Sequence, residues 1–175
     1  MDQGTGLRPM KKNARRLLTL SVGLFLVGCA THKWTDVSGE PGYREIVGLE
    51  FVTTNDCLLF KHSRQDDHVL LDRPGYGGLP EIKDIPANLP YAYYGQQILG
   101  VIPAGSSFKI VRAMRVHSFE TEYVIYKASI TSSGPFQGME VDPTSLTDRE
   151  TVPQFKAEYV NELKAGALNE GKTKP

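Results

Sequence analysis

Hydrophobic residues follow three different periods along this 175-residue chain. Leu17 to Val27 is an unbroken apolar run of eleven residues without a charge. Residues 30–42 are polar and carry Gly39, Pro41 and Gly42. From Tyr43 the pattern alternates, as a half-buried strand requires. Val47, Leu49 and Phe51 alternate with Gly48, Glu50 and Val52, and the turn pair Asn55-Asp56 follows. Short strands are predicted over Cys57–Phe60, Val69–Leu71 and Gln97–Ile102, and Pro103-Ala104-Gly105 then turns the chain. Ser107–Val116 and Glu122–Ile130 make two long strands, and Phe136–Val141 a last short one after the turn Ser132–Pro135.

The period then changes to that of a helix. Val152, Phe155, Tyr159 and Leu163 recur at helical spacing, Thr151 and Gln154 are spaced as a capping box, Pro153 falls in the first turn, and Gly166 fits the stop. An amphipathic helix is therefore expected over residues 151–166, with one face on the strands. Residues 167–175 are expected to fray. Six or seven short strands with turns between them, and one terminal helix, predict a mainly β domain over residues 43–150: a small antiparallel barrel or sandwich with one C-terminal helix.

The first apolar run has a separate meaning. Lys11, Lys12, Arg15 and Arg16 precede it, small Gly28 follows, and Cys29 comes next. Eleven residues suit the apolar region of a signal peptide and fall short of the ~20 that a spanning helix needs. Leu26-Val27-Gly28-Cys29 resembles the lipobox of bacterial lipoproteins. The resemblance covers residues 10–29. It implies cleavage before Cys29, lipidation of Cys29, a signal peptide over residues 1–28 and a lipidated tether over residues 29–42. Asp2 is unusual ahead of such a leader, and Met10 is an alternative start. Ala30, where inner-membrane lipoproteins commonly carry Asp, points to the outer membrane and a periplasm-facing domain. A second resemblance, of residues 46–141 to bacterial SH3-type barrels, concerns fold alone: a Gly-bounded hairpin turn precedes a short closing strand.

Removing the leader changes the charge. Lysine plus arginine and aspartate plus glutamate each number 20 in the whole chain. Five of the basic residues and one acid precede Cys29, which leaves 15 basic against 19 acidic residues, net −4. That composition argues against nucleic acid or anionic lipid as a partner. Cys57 is the single thiol left once Cys29 is lipidated, so no internal disulfide can form; it lies in the apolar run Cys57-Leu58-Leu59-Phe60 and reads as a small buried hydrophobe. Trp34, the only Trp, can dock on the domain or reach a bilayer interface, and docking is preferred.

Candidate chemistry is sparse. Asp72–Tyr94 is an irregular segment of 23 residues with four prolines, three glycines and four tyrosines. Such a loop is commonly functional, and Tyr76, Tyr91, Tyr93 and Tyr94 supply the amphipathic rings favoured at interfaces. Arg112 sits among Phe108, Ile110, Met114 and Val116 in an alternating reading, so it is expected on an apolar face, paired with Glu50 or Glu122 or awaiting an anion. His62, Asp66, Asp67 and His68 have zinc-ligand chemistry but match no established spacing, and read as a solvated turn. His117 with Glu120 and Glu122 is an acid–base grouping at a hairpin turn, where polar residues are expected anyway. Neither serine pair has a nucleophile-elbow context. No metal, cofactor or catalytic residue is expected. The expectation is a non-catalytic envelope lipoprotein that binds a protein, peptide or cell-wall fragment. The alternatives are a small envelope hydrolase or metal-dependent enzyme, and an inhibitor or immunity-type lipoprotein.

Overall fold

The computed structural model describes residues 33–62, 68–118, 121–148 and 150–163. The chain divides into two units, Met1–His32 and Lys33–Pro175, and every described residue belongs to the second. The leader, Cys29 and residues 30–32 therefore lie outside the described residues, as do Asp66, Asp67 and Glu120.

The domain is mainly β and antiparallel. Its strands are β1 (Lys33–Asp36), β2 (Glu50–Thr53), β3 (Cys57–His62), β4 (Leu70–Asp72), β5 (Tyr91–Tyr93), β6 (Gln96–Ile102), β7 (Ser107–His117), β8 (Glu122–Ile130), β9 (Glu140–Val141) and β10 (Val160–Glu162). The larger sheet runs β10-β2-β7-β8-β9, and β1 pairs with the far half of β7. The smaller sheet runs β4-β3-β6-β5. Both contribute to one core: Phe51, Phe108, Ile110 and Tyr126 from the larger sheet meet Cys57, Leu59, Leu71 and Ile102 from the smaller.

The smaller sheet is buried on both faces. Its outer face carries Leu58, Phe60 and Ile98, and these pack with Leu79, Ile82, Ile85, Tyr91 and Tyr93. The proline- and glycine-rich segment is thus the cover of a second core. This explains why Cys57-Leu58-Leu59-Phe60 is a continuous apolar run: a strand covered on both sides has no reason to alternate.

Two bulges set which side chains face which core. Leu59 pairs with Gly100 and Phe60 with Ile98, which leaves Leu99 as the extra residue of β6. That slip puts Ile98 and Val101 on one core and Leu99 and Ile102 on the other. In β7, Ile110 pairs with Ala128 and Arg112 with Lys127, so Val111 is the extra residue. Ile110 and Ala113 then both face the main core. Arg112 is turned outward. It pairs at the surface with Glu140 at 2.6 Å, not with Glu50 or Glu122 on an apolar face as the alternation implied.

Two further expectations change. The chain joins the fold at Lys33 and not at Tyr43: β1 lies in register on Met114–His117, and Val37 is buried with its N–H on the Ala113 carbonyl at 2.9 Å. The expected tether therefore contributes a strand from residue 33 onward. The C-terminal helix is absent over residues 152–163. Phe155 is drawn into the core, its ring centroid 4.3 Å from Phe51 and 5.5 Å from Tyr126. The Pro153 carbonyl accepts from the Tyr126 hydroxyl, and Val160–Glu162 pairs with β2. An aromatic pocket and an open strand edge outweigh a helical preference of a few tenths of a kcal/mol per residue.

Asp142, just after β9, joins the two sheets. Its backbone N–H donates to Val69 and its carbonyl accepts from Leu71, a parallel bridge onto β4. Its carboxylate, in a residue only 4% exposed, accepts from the Thr144 N–H at 2.9 Å and from His68 Nε2 at 2.9 Å. Asp142→Ala is expected to cost about 2–4 kcal/mol, because it strips acceptors from two donors at a buried junction. Asp142→Asn, which keeps one acceptor oxygen, is expected to lose clearly less. Thermal unfolding of the two variants checks this; equal losses would show that the carboxylate contacts do not hold the junction.

Candidate functional site

The structure separates the tyrosines that the sequence groups together. Tyr91 and Tyr93 are partly buried on the second core. Tyr94 lies next to them at the tip of the β5–β6 hairpin and is 90% exposed. Its ring meets that of Tyr93 edge-on, centroids 4.7 Å apart. Tyr76 leans instead on Arg73, whose guanidinium lies 4.0 Å from the Tyr76 ring centroid and 4.1 Å from that of Tyr159.

The hairpin tip is conformationally unusual. Tyr93 pairs with Gln96, so Tyr94-Gly95 is a two-residue turn, and both residues have positive φ, 43° and 80°. Right-handed strand twist selects this kind of turn, and Asn-Gly is its usual filling. Among the described residues Tyr94 is the one non-glycine at positive φ. Its Cβ makes that conformation costly by about 1–2 kcal/mol. Beside the turn, a shallow depression of about 500 Å³ is lined by Lys61, Tyr93, Tyr94, Gln96 and Gln97. Gln96 carries a buried side-chain oxygen that meets no hydrogen-bond partner among the described residues.

Arg73 stands at a cleft of about 960 Å³, lined among others by Tyr43, Tyr76, Arg115, Glu122 and Lys156. Arg73 Nη1 donates to the Tyr159 hydroxyl, and its Nε lies 3.8 Å from Asp72 Oδ1. Burial pushes the Asp72 carboxyl above the usual carboxylate range, against the pull of the Arg73 backbone N–H. Its folded pKa is raised, so the folded state holds that proton more tightly than the unfolded chain. Ionisation of Asp72 then weakens the fold as pH rises from about 3.8 through the raised value. Arg115 is fixed by both oxygens of Glu40, at 3.0 and 2.6 Å, and by Glu122 at 3.2 Å. Cations and acids are thus matched along the cleft, which has no excess of one sign.

A third grouping surrounds His68. Lys127 Nζ donates to Nδ1 at 2.8 Å, which leaves Nε2 to carry the proton that Asp142 accepts. The Trp34 ring lies 6.0 Å from that of His68, and the Arg112–Glu140 pair borders Lys127. Nothing local in sequence links these residues, since Lys127 is 59 positions and Asp142 74 positions from His68. Arg73 and Tyr159, 86 positions apart, escape sequence reading for the same reason.

Among the described residues no group of three or more His, Cys, Asp or Glu is arranged to hold a metal ion. Of the four residues with zinc-ligand chemistry, His68 is taken up by Asp142 and Lys127, and the His62 ring packs edge-on against Phe60. His117 pairs with Glu122 at 2.9 Å at the turn end of the β7–β8 hairpin. No protein-family model, no curated protein and no solved structure matches this chain.

Cys57 is buried in the main core, and burial, with a smaller contribution from the Asp72 charge, pushes its thiol up to about 12. In a Cys29→Ala chain, where Cys57 is the only thiol, native alkylation at pH 8 is expected to run roughly a thousandfold slower than that of a free cysteine. Denaturant should restore the ordinary rate. Timed iodoacetamide labelling read by mass checks this; fast native labelling would contradict the burial.

Proposed function

We propose that this chain is a lipoprotein of the bacterial envelope, acylated at Cys29, held at the outer membrane and facing the periplasm. It binds a protein, peptide or cell-wall fragment and catalyses no reaction. The leader and the Leu26-Val27-Gly28-Cys29 motif support the location. Several acyl chains on one cysteine hold firmly, at about 0.8 kcal/mol for each buried CH₂. No helix among the described residues is long and apolar enough to cross a membrane.

The observation that carries the binding reading is Tyr94. A ring 90% exposed, on a backbone at φ 43°, is costly to fold and contributes little to the core. Strain of this kind is retained where the presented side chain has work to do. The adjoining Tyr93 ring, the Gln96 and Gln97 amides and the Lys61 ammonium offer a contact surface with both stacking faces and hydrogen-bonding groups.

Tyr94→Asn separates the two roles. It is expected to stabilise the domain by about 1 kcal/mol, because Asn accepts the turn, while weakening association with the partner. A photo-crosslinking amino acid at position 94 should give a discrete adduct in intact cells. The same group at Lys109, exposed on β7, should not. Adducts at both positions or at neither would remove the hairpin tip as the binding surface. Cys29→Ala should move the protein from the membrane fraction to the soluble fraction and abolish palmitate incorporation; an unchanged distribution would remove the anchor.

A further inference from the structure

The point at which the chain enters the fold deepens this reading, and rests on it. Three residues, Ala30–His32, separate Cys29 from Lys33, the first residue of β1. Four Cα steps at ~3.3–3.6 Å each put Lys33 within about 14 Å of Cys29. A polar headgroup layer is itself about 5–7 Å thick on each side of the hydrocarbon. An acylated Cys29 therefore holds Lys33 at most about 7–9 Å beyond the headgroup layer, so what lies beside the start of β1 is kept close to the bilayer.

What lies there is aromatic. Lys33 is paired with His117, next to the β7–β8 connection. One position further on, Trp34 pairs with Val116 and Val116 with Tyr123. Residues directly opposite one another point to the same face of a sheet. Trp34, Val116 and Tyr123 thus form a row across three strands, about 5 Å apart from strand to strand. Val116 in the centre is fully buried, whereas Trp34 is 45% and Tyr123 48% exposed. Neither aromatic ring belongs to either hydrophobic core.

We infer that the Trp34–Val116–Tyr123 row is the face on which the domain rests on the lipid headgroups. Trp and Tyr suit the membrane–water interface because an apolar ring carries a polar tip. Lys33 adds a cation at the same edge. Nearby charges are engaged with one another, Arg115 with Glu40 and Glu122, and His117 lies 2.9 Å from Glu122. The contact is carried mainly by the two aromatic rings, so raised salt leaves most of it in place. The His68 ring lies 6.0 Å from that of Trp34, tilted to it, and Trp34 stays 45% exposed.

The chain has one Trp, so its fluorescence reads this position alone. The acylated mature protein is reconstituted in phosphatidylethanolamine–phosphatidylglycerol vesicles doped with brominated phosphatidylcholine. Bromines near the headgroup end of the acyl chain are expected to quench Trp34 by about twofold, and mid-chain bromines less, as interfacial residence requires. The quenching should persist at high salt and fall in Tyr123→Ser, with circular dichroism showing that variant folded. Intact mass of the same sample reports acylation. Acylated protein without quenching overturns the bilayer contact and leaves the lipoprotein reading standing. A sample with unmodified Cys29 overturns both.

Discussion

The two sheets of this domain are held in register at one edge by Asp142. Its main chain continues the larger sheet onto β4, and its carboxylate takes hydrogen bonds from both sides of the junction. The same residue orients His68, and through it Lys127. Ser145, three residues on, adds a bond to the Leu71 carbonyl, and Thr144 accepts from the Tyr126 N–H. One short segment after β9 thus satisfies polar groups that would otherwise be stranded between two apolar layers. A buried polar junction of this kind fixes a unique arrangement where hydrophobic burial alone would tolerate sliding.

With that edge fixed, the rest is a matter of which faces are covered. The smaller sheet lies between the main core and the proline-rich segment, so it has no solvent face. Most of the apolar content of that segment goes into covering Leu58, Phe60 and Ile98. Tyr91 and Tyr93 are partly absorbed in this task, whereas Tyr94 and Tyr76 project from its two ends. The surface that remains for recognition is smaller than the tyrosine count suggests, and it is split between a hairpin tip and the Arg73 cleft.

The proposed anchor and the hairpin tip sit on different parts of the fold. β1 enters beside the β7–β8 connection of the larger sheet, and Tyr94 belongs to the edge hairpin of the smaller sheet. An acylated protein resting on the Trp34–Tyr123 row would keep the Tyr94 hairpin available to a partner. Membrane attachment and binding at the hairpin tip would then make separate demands on separate residues, whereas Tyr123 also lines the Arg73 cleft.

Much of the strand order was legible in the sequence. β8 matches its predicted bounds, and β3, β4, β6 and β7 lie within two residues of theirs, because alternation and Gly/Pro turns are local signals. Cys57 was readable as a buried thiol for the same reason. The reading of residues 1–32 as leader and lipid site comes from residue order: basic residues, an apolar run, Gly28 and then Cys29. Tertiary structure decided the rest. A one-residue bulge at Val111 reversed the face of Arg112, which no alternating pattern can register. Phe155 abandoned a helix because Phe51, Phe108 and Tyr126, distant in sequence, offered it a pocket. Lys33–Asp36 became a strand because half of β7 had no other partner on that edge. Local sequence determined which segments could be extended; contacts across the chain determined where each was needed, because burial and hydrogen-bond satisfaction are properties of the assembled layers.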